Sequence, residues 1–183
     1  MRIVAGHLKG RSLQGPIGPG VRPTSDRLRE TLFNVIRDRV VGARLLDGFA
    51  GTGAVGLEAF SRGAHHVTFV ERDRRTIPLL EQNIVICGGT SATTVVKDDF
   101  LGVSTRHPRI GQFDVVFVDP PYDTEDLAEV MTEAAALVVT TGLVVLEHSR
   151  RRTAPEGAAG IRRNRTLLAG DSVLAFYTPM PLG

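Results

Sequence analysis

Residues 117–123, FVDPPYD, put one acid, two prolines and a tyrosine where an apolar strand has to stop. Phe113, Val115, Val116, Phe117 and Val118 form that strand, and proline, which lacks an N–H, cannot extend its hydrogen-bond ladder. Asp119 delivers a carboxylate to the strand end, and Pro120 delivers a carbonyl whose direction the adjoining rings restrict. Tyr122 adds an aromatic face. The set suits an exocyclic amine on a nucleobase, a poor nucleophile because its lone pair is delocalised into the ring. If Asp119 and Pro120 accept the two N–H bonds, the nitrogen can become tetrahedral and aim its lone pair at an electrophilic carbon. That is catalysis by positioning and preorganised charge. Tyr122 can stack on the base, which must be unpaired or flipped out to enter.

A second constellation lies upstream, in LLDGFAGTGAVGLEAF, where Gly51, Gly53 and Gly56 form a G-x-G-x-x-G at a strand-to-helix junction. Glycines there allow a tight turn and close approach to a ligand, and Glu71, ending the next strand, can accept both hydroxyls of a ribose. Position alone leaves a dinucleotide and S-adenosylmethionine both open. Charge favours the second, because Asp47 ahead of the glycines would repel a pyrophosphate and attract the ammonium of a methionine moiety. Asp98 or Asp99 can then meet the adenine amino group, with Phe100 against the ring; Asp99 is favoured.

These residues require strands that end side by side. From residue 44 onward, short Val/Leu/Phe runs alternate with helical stretches, the pattern of a parallel sheet covered on both faces. The expected fold class is α/β, a Rossmann-like doubly wound and mostly parallel sheet. NRTLLAGDSVLAFYTP, folded back through Gly170 and Asp171, should give it an antiparallel C-terminal edge. Ligands of such sheets bind at the carboxyl ends of the strands, so the DPPY corner should lie beside a cofactor bound at the first strand.

Ahead of this body, MRIVAGHLKGRSL reads as a small β-hairpin, and RPTSDRLRETLFNVIRD as a helix capped at Thr24 or Ser25. Leu28, Leu32, Val35 and Ile36 mark the buried face of that helix. Residues 1–30 carry six Lys/Arg against two acids, leaving 16 basic and 18 acidic residues beyond, so a basic arm joins a slightly acidic body. Arginine dominates, and its planar fork suits phosphates and base edges, which points to a polyanionic partner. The division expected is a hairpin and loop over 1–22 and a single catalytic domain over 23–183. The lone Cys87 precludes a disulfide or thiolate zinc site within the chain. With no signal-peptide pattern and no apolar run long enough for a bilayer, a cytoplasmic, membrane-free protein is expected.

The segments DGFAGTGAVGLEAFSRGA, FVE and FVDPPY together resemble a class I S-adenosylmethionine-dependent methyltransferase that methylates amines. RIVAGHLKGRSL and RPTSDRLRETLFNVI narrow the resemblance to the RsmD family, bacterial enzymes that methylate N2 of one guanine in 16S ribosomal RNA. The resemblance implies a monomer acting on the small ribosomal subunit or its assembly intermediate. It implies Asp119, Pro120, Pro121 and Tyr122 at the guanine, and Asp47, Phe49, Ala50, Gly51, Gly53, Glu71, Arg72, Asp99, Phe100 and Asp119 around S-adenosylmethionine. Arg2, His7, Lys9, Arg11, Arg22, Thr24 and Arg27 are the expected RNA contacts of the arm. A DNA adenine-N6 methyltransferase would use the same corner, although fewer than about 35 residues follow the last strand of the body, too few for a target-recognition domain. An NAD-dependent oxidoreductase and an RNA-binding assembly factor with a vestigial pocket are the readings from other classes.

Overall fold

The computed structural model describes residues 1–15, 26–121 and 124–181. Four parallel strands, β1 (Arg44–Gly48), β2 (His66–Val70), β3 (Thr93–Val96) and β4 (Phe113–Val118), are joined by a fifth, β5 (Val138–Ser149). Three antiparallel strands complete the sheet: β6 (Gly157–Ala158), β7 (Ile161–Ala169) and β8 (Ser172–Pro179). The order is β3-β2-β1-β4-β5-β8-β7-β6, so β8 folds back between β5 and β7. The antiparallel edge expected from Gly170 and Asp171 is present, one short strand wider than expected.

Helices α1 (Asp26–Ile36), α2 (Ala54–Ser61) and α3 (Ile77–Ile86) pack on one face, and α4 (Val103–Arg106) and α5 (Leu127–Leu137) on the other. Period-two alternation serves both layers: Val115 and Phe117 of β4 join the first core cluster, Val116 and Val118 the second. Burial on two faces explains why the strand reads as a continuous apolar run. In α1, Phe33 is buried and Val35 only partly so, a shift of the apolar stripe from the expected Val35. The expected caps of α1, Thr24 and Ser25, lie outside the described residues. Helix α5 starts on Asp126, whose carboxylate accepts the Ala128 N–H at 2.7 Å. It gives way to β5 at Val138, earlier than the strand start expected at Gly142.

The expected N-terminal hairpin reduces to one antiparallel bridge, Arg2 with Ser12, supported by reciprocal bonds between Met1 to Ile3 and Gly10 to Leu13. Ile3 and Leu13 are buried in the first core cluster, so this segment is seated on the body. Gly6 sits at φ +84, and a Cβ there would lie 1.9 Å from the carbonyl oxygen of Ser61. Only glycine lets the arm approach the end of α2 so closely.

Candidate active site

Four acids stand at the carboxyl ends of adjacent strands. Asp47, Glu71, Asp119 and Glu147 each follow by two residues a core side chain of one face: Leu45, Phe69, Phe117 and Val145. Parallel register puts them on one face: Asp47 lies level with Phe69 and Phe117, two residues short of Glu71 and Asp119, while the pairing of Leu146 with Val118 sets Glu147 level with Asp119. All four border one cavity of about 1060 Å³. Helix α2 leaves the turn after β1 beneath this cavity, and its N-terminal dipole is directed at Asp47, whose carboxylate accepts the Gly56 N–H at 2.8 Å.

On the β1 and β2 side, Glu71 clamps the turn. Its Oε2 accepts the Gly51 N–H at 2.7 Å and its Oε1 the Asp73 N–H at 2.7 Å. Each oxygen keeps a lone pair for a further donor, as a vicinal diol requires. Phe49, Ala50 and Arg72 also line the cavity, and the Phe49 ring leans on Phe100 at 5.0 Å between centroids, an apolar wall suited to a purine. Phe49 holds this place at φ +64, a conformation uncommon outside glycine. Burial pushes the Asp47 carboxyl up to about 8, with the Glu71 charge adding to the rise and the Gly56 N–H opposing it. A buried acid in that condition calls for a cation, and one of its oxygens is already spoken for by Gly56. Diol acceptors, an aromatic wall and an acid awaiting a cation fit the adenosine and amino-acid ends of S-adenosylmethionine.

On the β4 side, Asp119 and Pro120 border the same cavity, with Pro121 exposed at its rim. Asp119 is half-buried, and its carboxyl is pushed well above the carboxylate range by desolvation, then by the charges of Glu147 and Asp47. Glu147 is 5% exposed; burial raises its pKa while a hydrogen bond from Ser172 opposes the rise. Among the described residues, its Oε2 has no hydrogen-bond partner.

Other expected residues fall elsewhere. Gly53 caps α2 without lining the cavity; its left-handed φ of +79 is what favours glycine there, and a Cβ would in addition press on the end of the Leu80 side chain at 2.4 Å. Of the acid doublet, Asp98 borders the cavity and the favoured Asp99 does not. Asp99 instead pairs with Arg72 at 2.6 Å and accepts the Leu101 N–H. The Asp98 carboxylate is engaged by Arg106 and His107, each at 2.8 Å, which hold it well below the usual carboxylate range. Arg2, Lys9 and Arg27 border a separate groove of about 540 Å³ together with Asp26 and Glu30. Arg11 is exposed nearby in the arm. His7 is tied by Nδ1 to the Ser61 carbonyl at 2.9 Å and rests edge-on against Phe60. Arg22, Thr24 and Tyr122 lie outside the described residues.

Sequence reading missed Glu147, though an acid ending the apolar run GLVVLE repeats the pattern of Asp119 in VVFVD. It also missed the groups that seat the arm. The fully buried Glu58 accepts the N–H groups of Val4 at 2.7 Å and Ala5 at 2.9 Å and pairs with Arg62. The fully buried Arg29 donates to the Arg2 carbonyl at 2.7 Å and to Asp26 at 2.6 Å. Asn83 ties Gln14 to the glycine turn through the Thr52 carbonyl. No periodicity marks these residues, because their partners are distant in sequence.

Comparison with known proteins gives a consistent result. Residues 1–178 match the family described as Conserved hypothetical protein 95. Ribosomal RNA small subunit methyltransferase D of Escherichia coli is 35% identical over 179 residues, covering 97% of this chain and 89% of that protein. YlbH of Bacillus subtilis is 34% identical over 180 residues, covering 97% and 98%. The solved structure of yhhF from Escherichia coli superposes with a TM-score of 0.84 at 33% identity, covering 100% of this chain and 99% of that one.

Proposed function

Because this chain belongs to the RsmD family of S-adenosylmethionine-dependent methyltransferases, we propose that it methylates N2 of one guanine in small-subunit ribosomal RNA. The observation that carries the reading is the convergence of Asp119 and Pro120 with Asp47 and Glu71 on one cavity at neighbouring strand ends. S-adenosylmethionine supplies an electrophilic methyl carbon on a sulfonium. Glu71 holds the ribose end through its remaining lone pairs, and Asp47 neutralises the ammonium. Asp119 and the Pro120 carbonyl take the two N–H bonds of the target amine, which localises the nitrogen lone pair and fixes its direction. Tyr122 stacks on the flipped-out base.

The arm, residues 1–22, serves as the RNA-contacting extension of the catalytic domain over 23–183. Arg2, Lys9 and Arg11 are exposed cations among its described residues, and the surplus of Lys/Arg over acids in residues 1–30 supports a phosphate partner. Among the described residues, no helix is long and apolar enough to cross a membrane. A monomer acting in the cytoplasm on the small subunit or its assembly intermediate fits this reading.

The test is mass spectrometry of 16S ribosomal RNA from cells with and without the gene. One N2-methylguanine should vanish and return on complementation. Parallel methylation of purified small subunits and bulk DNA with labelled cofactor separates the alternatives; transfer to DNA alone would overturn the proposal.

A further inference from the structure

We propose that Glu147 is the residue that selects guanine, by accepting the N1–H next to the amine held at Asp119. The assignment rests on the guanine-N2 reading above and goes beyond it. Three observations meet at this side chain. Register places it beside Asp119: Leu146 pairs with Val118 across parallel strands, and each acid is the next residue along its strand. It borders the same cavity as Asp119 and Pro120. It is 5% exposed, yet among the described residues its Oε2 has no hydrogen-bond partner.

A buried carboxylate oxygen without a donor is expensive to keep, and such groups in folded proteins call for an explanation. A donor arriving with the substrate provides one. Among the four RNA bases, guanine alone presents an amine and an adjacent ring N–H on one edge. Adenine and cytosine carry a ring lone pair next to their amines, and uracil has no amine. In the complex the N1–H of guanine stabilises the ionised form against the burial that raises the Glu147 pKa, and an ionised carboxylate only accepts hydrogen bonds, so it welcomes that N–H and repels the lone pair at the corresponding position of adenine or cytosine. The two acids thereby divide the Watson–Crick edge: Asp119 and Pro120 hold the reacting nitrogen, and Glu147 reads the neighbouring atom. Sites built to meet a substrate N–H reject analogues lacking it far more strongly than apolar pockets reject small changes of shape.

The discriminating substrate is 2-aminopurine, which keeps the amine and replaces the N1–H with a lone pair. Once the methylated nucleotide has been mapped, small subunits would be reconstituted with guanine or 2-aminopurine at that position. Methyl transfer by the wild-type protein and by Glu147→Gln would be compared on both, with cofactor affinity measured by calorimetry to confirm that the variant is folded. The wild type should favour guanine by about 100-fold in kcat/KM. Glu147→Gln should cut that preference to below about tenfold, because its amide can turn an N–H toward the lone pair of the analogue. Equal rates on both substrates with the wild type would overturn the assignment, as would a Glu147→Gln variant that is slowed equally on both. A methyl group found anywhere but guanine N2 would overturn the proposed function itself and this assignment with it.

Discussion

Oε2 of Glu71 accepts the backbone N–H of Gly51 at 2.7 Å, joining the acid at the end of β2 to the glycine turn after β1. The ribose acceptor and the loop that must approach the cofactor are therefore one unit. Glu71→Ala removes both a charged acceptor and the clamp on the turn. A loss of about 30- to 100-fold in S-adenosylmethionine affinity is expected by calorimetry, with Glu71→Gln losing about tenfold. An unchanged dissociation constant for the alanine variant would place the ribose elsewhere.

Asp119 is assigned to the acceptor base and shares the cavity with the cofactor residues. Asp119→Ala should lower kcat on small subunits by about 100-fold or more, the size of effect seen when one preorganised charge-stabilising group is removed. Cofactor affinity should change by less than about threefold. Parallel loss of binding and turnover would show that the acid holds the cofactor instead.

Burial raises Asp47 from 3.8 to about 8 and pushes Asp119 and Glu147 in the same direction. The ligand-free folded protein therefore holds protons that the unfolded chain releases. The stability Asp47 contributes is fully present below pH 3.8 and is lost as pH rises through about 8. The ligand-free melting temperature should fall between about pH 5 and about pH 8. Binding of the cationic cofactor favours the ionised acid, so it should release about one proton, read by calorimetry in buffers of differing ionisation enthalpy. A flat melting profile with no proton release would refute this.

Glu58 is buried and joins Val4, Ala5 and Arg62. Glu58→Ala leaves two arm amides and a guanidinium without their acceptor and should destabilise by about 3 kcal/mol. For a chain of this length that is a drop of roughly 6–12 °C in Tm. A shift below about 2 °C would mean that the arm is held by Ile3 and Leu13 alone.

Deleting the arm would remove Ile3 and Leu13 from the core, so its RNA contacts are better tested by single charges. Lys9→Glu and Arg11→Glu leave the core untouched, since both side chains are exposed. Each should weaken binding to small-subunit RNA and reduce the slope of log K against log salt by about one unit. Unchanged slopes would remove the arm from the RNA interface.

The sequence by itself determined the parts that depend on neighbours along the chain. Apolar runs ending in acids announced β1, β2 and β4 with Asp47, Glu71 and Asp119 at their tips, because strand alternation and the proline stop are local rules. The glycine turn and the doubly wound sheet followed from the same punctuation. Tertiary structure alone decided what depends on partners far away in sequence. Nothing local in the sequence says that β5 will lie against β4, yet that register sets Glu147 beside Asp119. The Asp98 and Asp99 side chains diverge because Arg106 and His107 stand on one side and Arg72 on the other. Gly53 lies against Leu80 of α3, and Glu58 is engaged by Val4, 54 residues away. A pattern of period two or 3.6 reports which face a side chain occupies; only the packed sheet brings two faces together and so chooses which charges meet.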